Sequence, residues 1–459
     1  MNSLRKVIAS QYAMRSFMIF AANYSWVSTL HLSRMSMKSL RVRRFKKLYE
    51  RILLSRIFAL SAGWLFSVAL PAAIYWGPQV LATTNAGQKT ALIATSFAFL
   101  LSHLCAKSLL SSYPGGRSQG LISTQVLICY GAVIIATLIL RTEVSRVLLL
   151  SSGGAAFVWF QIEYLTTRIY FRPKLAVISG GFAEGVLALP NCDMRRLTHL
   201  DLHNVRYDGI VADFETLNPD EERFLTMCAL AGIPVYNAKT VYESLTGRVK
   251  IEKMSENIIG SLLPSPTYEF FKSIIDWIIV VVTLPLSLLI GIMTAIIIRI
   301  ESPGSVIYSQ TRVGRGNKIF TIYKFRSMRF DKDAVEQFAG EDDPRITRVG
   351  KIIRKLRIDE LPQFLNIIKG EMSLIGPRPE QPSFVNEFDK RIPFYSYRHV
   401  VKPGITGWAQ VRHGYAADSD QTRVKIEHDF YYIKNCSLSM DFLIVFLTIK
   451  TIFSGFGAR

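Results

Sequence analysis

The residues best suited to chemistry are two adjacent carboxylates, Asp359 and Glu360, which stand among cations. Arg354, Lys355 and Arg357 lie just before the pair, and Arg378 follows it between Pro377 and Pro379. An apolar run after the pair has the spacing of a helix with one buried face, which predicts that the carboxylates lie in a first helical turn. Such a turn has free N–H groups, so the pair could cap the helix or lie beside a bound anion.

This combination of charges fits phosphate chemistry. Two carboxylates among cations can hold a divalent metal, and one of them can attack phosphorus while the cations neutralise a pyrophosphate. A capped amphipathic helix with a solvated charged face is the alternative for an isolated Asp-Glu pair.

The composition indicates a membrane protein. The chain has 459 residues, of which 49% are hydrophobic, yet its net charge is +20. With a mean hydropathy of +0.23, this charge means that long apolar runs alternate with basic, cytoplasmic segments. Those runs argue against a nucleic-acid partner. The five cysteines form no C-x-x-C pair and the seven histidines have no metal-type spacing, so we predict neither a disulfide framework nor a zinc site.

The first part of the chain is predicted to be a basic cytoplasmic leader, 1–51, followed by a four-helix transmembrane region, 52–168. Each of four apolar segments has close to the roughly 20 residues that cross a bilayer. The segments lie at about 56–76, 90–111, 121–140 and 146–165. Lys and Arg are concentrated before the first segment and after the fourth, which puts both ends of this region in the cytoplasm.

A small α/β domain of the Rossmann-like kind is predicted over 172–250, because short β-type runs alternate with a helical run there. The strands are expected at 175–179, 209–212 and 233–236, and the helix at 221–231. A glycine turn at 179–185 follows the first strand, but it does not match G-x-G-x-x-G. The domain is therefore expected to regulate or assemble, with dinucleotide binding as the open alternative.

The rest of the chain, 265–459, is predicted to be an α+β domain that begins with a fifth apolar stretch at about 270–300. Pro285 lies near the middle of this stretch, where a proline removes a helical hydrogen bond and bends the helix. A helix that bends there and returns to the same face keeps the following basic residues in the cytoplasm, so we predict a re-entrant membrane helix. Beyond it we expect a hairpin with strands at 305–310 and 318–325, a tight loop at 401–411, and terminal helices at 418–432 and 440–453.

Five stretches of this last domain resemble one known family. They are Lys324-Phe-Arg-Ser-Met328, Arg354 through Leu361, Gly370-Glu-Met-Ser-Leu-Ile-Gly-Pro-Arg-Pro379, Lys402-Pro-Gly-Ile-Thr-Gly-Trp-Ala-Gln-Val411 and Asp429-Phe-Tyr-Tyr-Ile-Lys-Asn435. In this order they resemble the bacterial polyprenyl-phosphate glycosyl-1-phosphate transferases, the monotopic phosphoglycosyl transferases in their long form. The resemblance implies four spans, a degenerate nucleotide-binding-like domain and a catalytic domain whose membrane helix is re-entrant at Pro285.

The resemblance also implies a reaction. Asp359 would attack the β-phosphorus of a UDP-sugar, UMP would leave, and undecaprenyl phosphate would take the sugar phosphate from the aspartate. Mg²⁺ would bridge the phosphates with Asp359 as its protein ligand, while Glu360 assists with metal or proton handling. The phosphate-binding cations implied in the same way are Lys324, Arg326, Arg354 and Arg378. Arginine suits this task because its fork donates two hydrogen bonds to phosphate oxygens.

The sugar and the partners are less closely defined. After Val411 the chain departs from the pattern of some glucose-transferring members, and its ending, 456–459, resembles members that serve exopolysaccharide export. We expect a UDP-hexose donor, glucose or galactose, rather than an N-acetylated sugar. His413 and Tyr415 are candidates for the sugar pocket, with a loop histidine and a packing tyrosine as the alternative. The product would start exopolysaccharide, capsule or O-antigen assembly at the bacterial inner membrane, with the catalytic domain facing the cytoplasm. Homo-oligomers and polysaccharide assembly proteins are further candidate partners.

The sequence also allows two other classes of function to be compared with this reaction. A membrane-anchored, nucleotide-sensing scaffold of a polysaccharide assembly complex would use the α/β domain and leave the dyad vestigial. A polytopic transporter would need charged residues along a path within the spans, and the apolar segments have almost none.

Overall fold

The computed structural model describes residues 52–81, 85–110, 119–142, 144–170, 173–189, 192–202, 205, 207–250, 263–329, 345–413 and 419–454. The predicted basic leader and Tyr415 lie outside the described residues. Within them the chain divides into two compact units, one made of 52–66 and 162–245 and the other of 67–161 and 246–454.

The four predicted apolar segments coincide with helices. These are α1 (Arg56–Trp76), α2 (Ala86–Leu110), α3 (Gln119–Ile139) and α4 (Arg146–Tyr170). A π-helical turn, Leu65–Ala69, interrupts α1 just before Pro71, because proline has no N–H to donate to the preceding turn.

Three helices in the described part of the chain have the length and apolarity to cross a membrane: Arg56–Trp76, Arg146–Thr167 and Pro266–Glu301. A further apolar helix, Gln125–Ile139, is shorter. These helices indicate a membrane-associated protein.

The predicted α/β region forms a four-stranded parallel sheet of order β2-β1-β3-β4. Its elements are β1 (Lys174–Ile178), α5 (Ala183–Val186), β2 (Asp193–Leu197), β3 (Gly209–Ala212), α6 (Pro219–Leu230), β4 (Val235–Asn237) and α7 (Ala238–Thr246). The central strands β1 and β3 are apolar on both faces, and each face carries its own buried cluster. Continuous apolar runs of this kind are typical of parallel strands covered on both sides.

The three predicted strands and the helix are present, but β2 was missed. Its residues, Asp-Met-Arg-Arg-Leu, show neither an apolar run nor an alternating pattern, and all five are at least partly exposed. An edge strand can tolerate such residues because only one of its sides pairs with the sheet.

The second unit is organised along one long helix, α8 (Pro266–Glu301), which contains Pro285. The helix is continuous through the proline, and the hydroxyls of Thr283 and Ser287 bond to carbonyls of the preceding turn. Asp276, Val280, Thr294 and Ile298 are buried, whereas most of the large apolar residues of α8 are exposed. The helix therefore has one packed face and one apolar face with no protein partner in the described residues.

The remaining elements pack as a mixed α+β unit against α8. They are β5 (Ile307–Val313), β6 (Ile319–Phe325), α9 (Arg348–Lys355), a 3₁₀ helix (Ile358–Gln363), α10 (Phe364–Ile368), β7 (Ser373–Ile375), α11 (Pro382–Arg391), a 3₁₀ helix (Tyr395–Val400), β8 (Gly404–Thr406), α12 (Trp408–Arg412), α13 (Ser419–Lys434) and α14 (Leu438–Ser454). The predicted hairpin is confirmed as the antiparallel pair of β5 and β6. Its turn places Gly316 and Asn317 at positive φ, as tight hairpin turns require.

The predicted loop at 401–411 is wrong in part, because its residues form β8 and α12. β8 runs parallel to β7, and a Cβ on Gly404 would collide with the backbone of Gly376. Gly404 is therefore not a turn residue as predicted but allows two backbones to approach closely.

Candidate active site

The dyad is positioned by a left-handed residue. Arg357 has φ 58° and ψ 20° and separates α9 from the 3₁₀ helix that begins at Ile358. A non-glycine residue in this region costs about 1 kcal/mol, and such residues cluster at functional sites. Asp359 and Glu360 follow in the first turn of the 3₁₀ helix, where we predicted a helical turn, and both are buried.

Three cations converge on one oxygen of Glu360. The distances to Glu360 Oε1 are 3.1 Å from Arg378 Nη1, 3.5 Å from Arg357 Nη1 and 3.7 Å from Lys324 Nζ. Burial alone would raise the pKa of Glu360, but these three charges outweigh it and hold the pKa well below the usual range. Glu360 is therefore ionised, and it pairs with cations from three parts of the chain.

Asp359 has a different environment. Its Oδ1 is buried and has no hydrogen-bond partner. Burial, followed by the neighbouring charge of Glu360, raises the pKa of Asp359 despite the nearby cations. An unpaired buried carboxylate oxygen is costly unless a ligand completes it, so this oxygen is a candidate position for a ligand.

Lys324 reaches the dyad from the end of β6, where it pairs across the hairpin with Tyr308. Burial and the charge of Arg378 lower the pKa of Lys324 from 10.5 to about 8, although both carboxylates of the dyad act in the other direction. Burial is thus the largest influence on the ammonium, which lies among both arginines and carboxylates.

The other predicted cations have different settings. Arg326 donates to the carbonyls of Ser302 and Pro303, so its guanidinium holds the chain that leaves α8. Arg354 is half-buried in the last turn of α9, and its carbonyl accepts from the N–H of Arg357. Sequence reasoning did not select Arg357 as a binding residue, although its place two residues before the dyad was visible.

The residues present fit a magnesium ion that takes most of its ligands from the substrate and from water. The described part of the chain contains no group of three or more His, Cys, Asp or Glu side chains arranged as metal ligands. Mg²⁺ is often held by one or two carboxylates together with substrate phosphates and water. The unpaired Oδ1 of Asp359 suits that mode, in which the substrate supplies most of the other ligands.

The glycine turn after β1 is filled by the protein itself. Asp213 follows β3, is 5% exposed, and accepts from Phe182 N at 2.8 Å and Glu215 N at 3.2 Å. A Cβ on Gly181 would collide with this carboxylate. The Asp213 carboxylate thus accepts from a backbone N–H of the glycine turn, the kind of donor that binds phosphate in nucleotide-binding turns.

His413 lies at the end of α12 beside His428, with 6.2 Å between the ring centroids. Its pKa is lowered by burial and by the charges of Arg248 and Lys425. Lys425 also binds Glu380, two residues after Arg378.

The fold and site define a membrane-associated protein with a buried carboxylate dyad in a cradle of cations. A family model described as bacterial sugar transferase matches residues 267–455. A UDP-N-acetylgalactosamine-undecaprenyl-phosphate N-acetylgalactosaminephosphotransferase of Aeromonas hydrophila is 49% identical over 420 residues, which are 91% of this chain and 99% of that protein. The chain belongs to the bacterial sugar transferase family.

Other relatives match shorter parts. A UDP-glucose:undecaprenyl-phosphate glucose-1-phosphate transferase of Escherichia coli (strain K12) is 33% identical over 277 residues, 59% of this chain and 54% of that protein. An exopolysaccharide production protein of Rhizobium leguminosarum bv. phaseoli is 42% identical over 163 residues, 34% of this chain and 81% of that protein. The resemblance noted in the sequence is therefore confirmed, and the chain is an enzyme.

Proposed function

We propose that this enzyme transfers a sugar 1-phosphate from a UDP-sugar to undecaprenyl phosphate through a covalent intermediate on Asp359. The relatives named for this overall reaction support the substrates. The observation that carries the proposal is the contrast within the dyad: Glu360 is paired with three cations, whereas Asp359 Oδ1 is buried and unpaired. The product would begin the assembly of a surface polysaccharide.

The proposed reaction consists of two successive displacements at one phosphorus atom. A carboxylate oxygen of Asp359 bonds to the β-phosphorus, and the bond from that phosphorus to the bridging oxygen breaks, so UMP leaves. A phosphate oxygen of undecaprenyl phosphate then bonds to the same phosphorus, and the aspartyl oxygen leaves with its electron pair. Lys324, Arg357 and Arg378 would offset the charge of the phosphates in both steps.

Magnesium is part of the proposal. Asp359 would be its protein ligand, and the bound ion would polarise the pyrophosphate and neutralise its charge. With magnesium bound, Glu360 would still pair with Lys324, Arg357 and Arg378, and these cations would still bind the phosphates.

For the sugar, we propose N-acetylgalactosamine. The relative that matches 99% of its own length is named for that donor, whereas the glucose-named relative from Escherichia coli matches over 54% of its length. Glucose and galactose, which the sequence alone favoured, are the competing donors.

We also propose four spans, a re-entrant α8 and a catalytic unit on the cytoplasmic side of the bacterial inner membrane. Contacts at both ends of α8 support the re-entrant path. Near its start, Lys272 binds Asp441 at 3.1 Å and Asp276 accepts from Ser373; at its end, Glu301 accepts from the N–H of Val349 at 3.0 Å. A 36-residue helix would be about 54 Å long if straight, so a full crossing would separate these two sets of contacts by a bilayer.

The alternative of a nucleotide-sensing scaffold gains no support from the α/β region. Its glycine turn is closed by Asp213, and a carboxylate there repels a nucleotide phosphate. Equilibrium dialysis of UMP and NAD against an Asp359→Asn protein would reveal a second nucleotide site if one existed.

The decisive experiment omits the lipid. Purified protein, magnesium and UDP-N-acetylgalactosamine should release at most one UMP per active site, and mass spectrometry should find the sugar phosphate on the peptide that contains Asp359. The Asp359→Asn protein should show neither signal, while Glu387→Gln, an exposed carboxylate change, should behave as wild type. Turnover by the Asn variant, or UMP release only when lipid is present with no labelled peptide, would contradict the covalent route.

A further inference from the structure

The chain that carries Arg378 is held in an unusual way. It runs through Pro377 and Pro379, which have no N–H, so few of its own backbone donors can fix it. Instead, four consecutive carbonyls each accept a hydrogen bond from a different place. The pairs are Gly404 N to Pro377 O at 3.0 Å, Arg398 Nη2 to Arg378 O at 2.8 Å, Arg312 Nη1 to Pro379 O at 3.1 Å and Val313 N to Glu380 O at 2.9 Å.

Arg398 is the most buried of these donors. Its side chain is 2% exposed, and it lies between Arg378 and α13. Nη1 donates to the hydroxyl of Tyr395 at 2.9 Å, and Nη2 donates both to Arg378 O and to Asp429 Oδ2, the latter at 2.9 Å. The rigid fork of a guanidinium can serve three acceptors at fixed angles, which a lysine ammonium on a flexible stem cannot reproduce.

The surroundings of Arg398 are also charged. Glu380 receives Lys425 Nζ at 2.9 Å and lies 3.7 Å from Arg312 and 4.0 Å from Arg398. Burial alone would raise the pKa of Glu380, but Lys425, Arg398 and Arg312 hold it at about 2. The five side chains of this buried clamp are Arg312, Glu380, Arg398, Lys425 and Asp429.

Stability alone is a weak explanation for such a cluster, because replacing a buried ion pair by apolar residues of the same volume is often neutral or stabilising. Backbone N–H groups hold the carbonyls of Pro377 and Glu380, whereas those of Arg378 and Pro379 accept from arginine side chains. Apolar side chains offer no donors to carbonyls, so they could not replace these two arginines.

We propose that Arg398 is a positioning residue, which fixes the Arg378 backbone so that the Arg378 guanidinium meets Glu360 and the substrate phosphates in one geometry. The inference rests on the proposed function, since it concerns the cation that would hold the pyrophosphate. A misplacement of about 1 Å in such a site can reduce the rate by about a hundredfold.

A double-mutant cycle tests this coupling. We would measure kcat/KM for UMP release with the wild-type protein, Arg398→Lys, Arg378→Lys and the double variant, each normalised to folded protein. Arg398→Lys should lower kcat/KM by about tenfold or more in the wild-type background. In the Arg378→Lys background the same change should cost less than about threefold, since the group to be positioned is already altered.

The controls separate positioning from folding. Arg391→Gln removes an exposed arginine that pairs with Glu387 and should leave kcat/KM unchanged. If Arg398→Lys does not fold, Tyr395→Phe removes one of the acceptors of Arg398 and should show a smaller loss with the same non-additivity. Equal losses in both backgrounds, or no loss in a folded variant, would overturn the positioning role. An inactive wild-type protein would instead count against the proposed function.

Discussion

The pKa of Lys324 leads to a prediction about alkaline pH. Lys324 is 3.7 Å from Glu360, and its side chain is 18% exposed. Burial and Arg378 lower its pKa from 10.5 to about 8, a difference that corresponds to about 3 kcal/mol in favour of the neutral amine. Only the ammonium can bind phosphate, so the free enzyme should lose donor capture as pH rises through 8.

The measurement is kcat/KM for UMP release between pH 7 and 10, because this ratio reports groups that titrate in the free enzyme. In the wild-type protein it should fall about tenfold for each pH unit above 8. Arg is always charged, so Lys324→Arg should retain most of its own pH 8 value at pH 9.

A matched control uses Lys390→Arg, which changes an exposed lysine and should keep the wild-type profile. Titration of the substrates is common to all three proteins, so only a difference between profiles reports the lysine. The same alkaline decline in Lys324→Arg, or a flat wild-type profile up to pH 10, would refute the assignment of Lys324 as a phosphate-binding ammonium.

Three further predictions concern residues around the site and in the α/β region. Gly181→Ala should lower the thermal midpoint, because φ of Gly181 is 47° and a Cβ there would collide with Asp213. We expect the free energy of unfolding to fall by about 2 kcal/mol or more. Gly185→Ala, whose Cβ would meet nothing within 4 Å, is the control. Burial lowers the pKa of His399 and His428 to about 4. The stability that these neutral histidines contribute should therefore be complete above pH 6.5 and disappear as pH falls toward 4. A Gln variant of either residue should reduce the fall of the thermal midpoint between pH 7 and 5. Arg326→Gln should reduce stability but leave KM for the donor within about twofold, since the Arg326 guanidinium holds the Ser302 and Pro303 carbonyls. A large rise in KM would instead support the predicted phosphate-binding role of Arg326.

Local patterns made part of the site predictable. The dyad, the hairpin that delivers Lys324 and the apolar helix with Pro285 all lie in contiguous stretches whose spacing or turn residues indicate their structure. The strands β1 and β3 were visible for the same reason, since their apolar runs are continuous. The residues of edge strand β2 have no such pattern, and they form a strand because they pair with β1 in the folded sheet.

Other parts depend on tertiary contacts that no local pattern encodes. The left-handed conformation of Arg357 brings its guanidinium to Glu360, whereas the sequence shows only one basic residue among several. Likewise Arg398 and Asp429 are 31 positions apart and meet only because two helices pack. For Arg326 the sequence shows only a basic residue near Lys324, and the contacts of its guanidinium with the Ser302 and Pro303 carbonyls depend on the tertiary fold.

The 3₁₀ helix explains why two adjacent carboxylates of similar chemistry can have different roles. With three residues per turn, neighbouring side chains diverge by about 120°, so Asp359 and Glu360 differ in their direct contacts although the same cations act on both. Glu360 faces Lys324, Arg357 and Arg378 and remains ionised, while Asp359 keeps an unpaired oxygen and a raised pKa. The left-handed conformation of Arg357 sets the start of this helix. It brings the Arg357 guanidinium to Glu360, while Oδ1 of Asp359 has no protein partner.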